Sequence, residues 1–188
     1  MNIAKLARIA VETYIREGKV ADIPKNLPEE FLMEKAGVFV SIFRSPRGTD
    51  AEQKRGTDAE KELRGCVGTY LPVRENIAQE TIHNAVASAS QDPRFSPVSK
   101  EDLGQLSYSV YILGEPKQME RLEELDPKKY GIIVKARDFP SKTGLLLPGL
   151  KGIDSVDAQI YIASQKAGID LKKEEILIYR FEVEKYHD

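Results

Sequence analysis

The residues of this chain whose types and spacing could do chemistry lie in Leu63-Arg64-Gly65-Cys66-Val67-Gly68-Thr69, which holds the one cysteine among 188 residues. The thiolate is the reactive form of cysteine, and a neighbouring cation such as Arg64 favours it. His83, in the helix expected to follow, is a second activating group, so Cys66 and His83 are the catalytic candidates. Glycine inside a strand marks a bulge or a place where another group approaches the backbone, leaving amides open to an anion. Gly65 and Gly68, with Arg64 and Thr69 beside them and Asp92 and Arg94 further on, are therefore the ligand-binding candidates, for a carboxylate or phosphate held by charge-assisted hydrogen bonds.

Each of these residues also has a structural account. A lone cysteine is very often a small buried hydrophobe. Arg64 and Cys66 share a strand face only if no bulge intervenes. Asp92-Pro93-Arg94-Phe95 would end a helix, with Phe95 anchored in the core, and His187 sits near the end of the sequence as an exposed residue. Two classes stay open: a small enzyme acting on an anionic or nucleotide-like ligand with Cys66 as its thiol, or a binding domain that uses the same segment as a recognition cleft.

Composition narrows the setting. Twenty-eight basic and 30 acidic residues leave a formal charge of −2 with both signs interspersed, which argues against nucleic acid as a partner. One cysteine and two histidines give no zinc spacing, so no metal site is expected, and no motif identifies a cofactor. The first 18 residues lack the continuous apolar core of a signal peptide, and no later run is long enough to span a bilayer. The expected location is the cytoplasm, with no membrane association.

The elements that must position these residues follow from periodicity. Ile3, Leu6, Ala7, Ala10, Val11 and Tyr14 predict an amphipathic helix ending near Gly18. Val38 to Phe43 and Leu63 to Tyr70 read as strands, and Asn76 caps a helix that stops at Asp92-Pro93. Leu106 to Ile112 alternate as a strand. A short charged helical piece is expected near 119–125, then strands at 130–135 and 145–147, a helix opened by Asp154 and closed at Gly168, and one last strand over 176–186. Residues 44–62 show no apolar periodicity and duplicate Arg47-Gly48-Thr49-Asp50-Ala51-Glu52 as Arg55-Gly56-Thr57-Asp58-Ala59-Glu60, which reads as an expanded, mobile hairpin loop. Strands adjacent in sequence, with helices between groups of them, predict an α+β layer architecture.

The segment Leu63 to Thr69 also resembles the hallmark of the AMMECR-type domain family, Leu-Arg-Gly-Cys-Ile-Gly, with Val67 in place of isoleucine. Asp92-Pro93-Arg94-Phe95-Ser96-Pro97-Val98, Leu125-Asp126-Pro127-Lys128-Lys129-Tyr130-Gly131 and Gly144-Leu145-Leu146-Leu147-Pro148-Gly149 match in the same order, so the resemblance spans almost the whole chain. It implies one domain over 1–188, or two joined lobes, built from two pseudo-symmetric β/α repeats with mainly antiparallel sheet covered by helices. Such domains are often fused to, or encoded near, a Memo-like and a radical-SAM protein. That association implies such a protein as partner and a binding or accessory role in a modification pathway.

Overall fold

The computed structural model describes residues 1–44 and 61–188. Both copies of the duplicated hexapeptide, and with them almost all of the expected 44–62 loop, lie outside the described residues. Helix α1 (Ile3–Glu17) is opened by Asn2, whose side chain accepts from the Lys5 N–H at 3.0 Å, and is closed by Gly18 at φ 70°. It buries Ile3, Leu6, Ala7, Ala10 and Val11 of the stripe its spacing predicts, while Tyr14, in the last turn, is half-buried. After the single turn of α2 (Glu30–Met33), β1 (Gly37–Arg44) and β2 (Glu62–Thr69) pair antiparallel, with Ser41 opposite Cys66 and a register shift between Ile42 and Phe43. Helix α3 (Ile77–Ser90) follows, capped by Asn76 as expected, and then β3 (Leu106–Leu113). The second half brings β4 (Lys117–Gln118), β5 (Gly131–Ala136), β6 (Thr143–Leu146), α4 (Val156–Lys166), β7 (Ile176–Phe181) and β8 (Val183–His187).

Three elements differ from their expectation. The charged piece near 119–125 is one 3-10 turn, Leu122–Glu124, preceded by the short strand β4. The cap of α4 is Ser155, whose hydroxyl accepts from Ala158 N–H at 3.2 Å, while Asp154 stands outside the helix; serine and aspartate are near-equivalent caps, so sequence alone ranks them poorly. The last strand is two strands that belong to different sheets, because a run of strand formers does not reveal where the chain changes pairing partner.

The strand orders expose the duplication. One sheet runs β2-β1-β3-β8 and the other β6-β5-β7-β4, so each repeat is a β-β-α-β unit of the same order with one further strand beside its third. That added strand is exchanged: β4 follows β3 in sequence but pairs with β7, and β8 follows β7 but lies beside β3. The chain divides into two units, residues 1–112 with 185–188, and 113–184. In the first, α1 and α3 share a core with Val38, Val40 and Ile42 of β1 and Leu106, Tyr108, Val110 and Ile112 of β3. In the second, Ile160 and Ala163 of α4 pack with Ile132, Val134, Leu146 and Ile178.

The repeats also share a packing device. A Cβ on Gly65 would overlap the Ser88 carbonyl of α3, and a Cβ on Gly144 would overlap the Ala163 carbonyl of α4. In each unit a glycine lets the helix backbone lie directly on the second strand.

Candidate functional site

Cys66 is on β2, an edge strand of its sheet, and is half-buried. Its main-chain N–H donates to Asp92 Oδ2 at 2.8 Å, and its sulfur accepts from the Ser41 hydroxyl at 3.2 Å. Its carbonyl accepts from Arg94 Nη2 at 3.2 Å. Asp92 and Arg94 sit in the loop that leaves α3, and they lock one another: Arg94 Nε donates to Oδ1 at 2.9 Å and Nη2 to Oδ2 at 2.7 Å. Asp92 is 5% exposed. The Arg94 guanidinium holds its carboxyl down at about 2, assisted by the Cys66 and Arg94 N–H groups and opposed by burial. Arg94 is shifted upward in turn, first by Asp92 and further by the Cys66 side chain, so the cation and the sulfur lie within electrostatic reach of each other. The Arg94 side chain is nevertheless 56% exposed. What results is a fixed, partly exposed positive charge beside a sulfur that accepts a hydrogen bond from the Ser41 hydroxyl.

The other candidates are engaged elsewhere. Arg64 donates to the carbonyls of Ser96 at 2.6 Å and Pro97 at 3.1 Å and reaches Asp102 at 3.4 Å, so it clamps the 96–102 loop onto β2. Gly65 receives α3. Gly68 receives the Phe39 ring, which a Cβ there would displace. Thr69 donates to Glu80 Oε1 at 2.8 Å. His83 lies on the exposed side of α3 against Arg74 at 3.1 Å, whereas the same helix turns Asn84 and Ser88 to the strands, so the fold does not bring His83 to Cys66.

Sequence inspection passed over Ser41 and Glu80. Ser41 is a single hydroxyl inside an apolar strand, a pattern that carries no signal until its cross-strand partner is known. Glu80 had a readable one: Glu80, Asn84 and Ser88 recur every four residues, a polar stripe on a helix face. That stripe staples α3 to the hairpin. Glu80 takes the Thr69 hydroxyl and the Val73 and Arg74 N–H groups, Asn84 donates to the Val38 carbonyl at 2.9 Å, and Ser88 accepts from Val67 N–H at 2.8 Å.

The second repeat separates scaffold from site. Aligning Gly65 with Gly144 and Ser88 with Ala163 puts Asn84 at the place of Gln159, which likewise donates to a strand-side carbonyl, Tyr130 O, at 2.9 Å. The Ser41–Cys66 pair falls on Ile133–Leu145, which are cross-strand partners in β5 and β6. The same fold is therefore completed with hydrocarbon where the first repeat has a hydroxyl and a thiol. The polar pair is not a requirement of the architecture.

Among the described residues no group of three or more His, Cys, Asp or Glu side chains is placed to hold a metal ion, and no helix is long and apolar enough to cross a membrane.

Fold and candidate site together define a duplicated β-β-α-β protein with a cysteine on an edge strand. The chain belongs to the AMMECR1 family, whose model matches residues 4–186. It is 43% identical over 182 residues to a Thermotoga maritima protein, a match covering 97% of this chain and 95% of that one. A Clostridium acetobutylicum protein is 42% identical over 98% of this chain, but the match covers 35% of that longer protein. The crystal structure of an uncharacterized protein from Pyrococcus horikoshii is similar at a TM-score of 0.81, 30% identity, 99% coverage of this chain and 89% of its own.

Proposed function

We propose that this chain is a binding or accessory domain that recognises an anionic group at Arg94 beside Cys66. The observation that carries this is the division of labour on Arg94: Asp92 takes two of its nitrogens and fixes its direction, while the side chain stays 56% exposed beside Cys66. A guanidinium held in this way loses little further freedom on taking up a carboxylate or phosphate. The accessory part of the reading draws on the family association with Memo-like and radical-SAM proteins, and on the Clostridium relative, where the matching region is about a third of a longer chain. A reducing, cytoplasmic setting belongs to the proposal, because the site uses Cys66 as a thiol.

A second reading keeps Cys66 as the reactive group of a small enzyme. It is supported by the Ser41 hydroxyl donating to the sulfur and by the nearby Arg94 charge, both of which favour thiolate.

One experiment addresses both. Alkylation of the chain's one thiol by iodoacetamide is timed with and without phosphate or acetate, in the native protein and in Arg94→Gln. Slowing by the anions in the native protein alone supports recognition at Arg94. Anions without effect in either protein would remove that reading, and a fully inert thiol would remove the enzyme.

A further inference from the structure

The first unit carries another feature that the Cys66 site does not use. A groove of about 660 Å³ lies between residues 20–23, which follow α1, and helix α3. Its apolar lining comes from Val20, Ile23, Ile82 and Val86, and Arg74 and His83 stand among them. That volume and that mixture, hydrocarbon with a few polar groups, are the makings of a small-molecule site.

Arg74 is placed there by a buried carboxylate. Glu80, 1% exposed, accepts from the main-chain N–H groups of both Val73 and Arg74 at 2.8 Å and so pins the loop against α3. The guanidinium lies 3.1 Å from His83 Nδ1, which must accept, since arginine only donates. Among the described residues Arg74 has no carboxylate at ion-pair distance, and its Nε and Nη1 make no hydrogen bond. The second repeat has Ser155, the cap of α4, at the position of Glu80, so a β-β-α-β unit folds without this latch. Burying a carboxylate is costly unless its hydrogen bonds are met, and what this one secures is the location of residues 73 and 74.

We propose that this groove binds a small-molecule monocarboxylate with an apolar tail. Its carboxylate takes the unused N–H groups of Arg74 beside His83, and its tail lies along Val20, Ile23, Ile82 and Val86. Asp22, which also lines the groove, disfavours a second negative charge and so selects against dianions such as alkyl phosphates. The inference is independent of Cys66.

The full chain is titrated with octanoate while the ring resonances of its two histidines are followed by NMR. The expected result is saturable shifts at His83 and none at His187. Binding should weaken about tenfold in Arg74→Gln, the loss of one charge-assisted contact, and stay unchanged in Cys66→Ser. Octyl phosphate should bind more weakly than octanoate and gain in Asp22→Asn. Arg74→Lys, which keeps the charge and loses the fork, should fall between native and Arg74→Gln, and this ranking reads the site even if Arg74→Gln lowers stability. Equal binding of 1-octanol and octanoate, equal affinity in native and Arg74→Gln, or shifts at both histidines would overturn the proposal.

Discussion

Asp92 accepts the main-chain N–H of Cys66 at 2.8 Å, and the same carboxylate is clamped by Arg94. The loop leaving α3 is thereby tied to the backbone of the residue that carries the thiol, and the thiol, the carboxylate and the guanidinium form one unit. Asp92→Asn should uncouple them. An amide keeps the shape but presents an NH2 group to the donors of Arg94 or Cys66, so a loss of roughly 1–3 kcal/mol is expected in urea unfolding, together with greater hydrogen exchange at the Cys66 amide.

The pH dependence has a definite sign. The folded pKa of Asp92, about 2, lies below the reference carboxyl value of about 3.9. Its contribution is therefore complete above pH ~4 and is lost as pH falls from there toward 2. Exposure of Arg94 to water trims the effect to roughly 1–2 kcal/mol. Acid unfolding followed by circular dichroism should lose part of its steepness in Asp92→Asn between those limits; superimposable profiles would show that Asp92 contributes nothing.

Arg94→Gln should move the pH profile of Cys66 alkylation to higher pH and slow the reaction near neutrality by about three- to tenfold, because a cation that favours thiolate has gone. Ser41→Ala should act in the same direction by removing the hydroxyl donor. Intact-mass kinetics with one thiol per chain make the comparison unambiguous.

Gly65→Ala and Gly144→Ala should be destabilising alike, each by more than about 2 kcal/mol, since both put a methyl group into a helix carbonyl. Gly18→Ala tests the distinction: its φ of 70° strains an alanine, but no neighbour lies within 4 Å of the added methyl. A cost of about 1 kcal/mol is expected there, measured by thermal melting.

Much of this architecture was legible in order of residues. The α1 stripe, the Asn76 cap, the glycine end of α1 and the strand formers of β1, β2 and β3 are local features, and local propensity and periodicity encode them directly. The exchange of β4 and β8 was not, because strand pairing joins residues far apart in sequence and a strand former is indifferent to which sheet it enters. The same holds at the candidate site. Cys66, Asp92 and Arg94 stood out by type and motif. Nothing in a single chain of letters says that the arginine beside Cys66 in sequence, Arg64, spends its donors on the 96–102 loop while Arg94, 28 positions on, takes its place.

The sequence by itself thus determined the α+β class and the family, since helix caps, apolar periods and a motif are short-range properties of the chain. Tertiary structure alone decided which side chains face the thiol, because a strand shows opposite faces to its neighbours and a register shift in the hairpin separates Arg64 from the regular alternation. It also decided which polar residues are scaffold. Asn84 has a counterpart in Gln159, whereas Ser41 and Cys66 are matched by Ile133 and Leu145, a comparison available only once the two repeats are laid over one another in space.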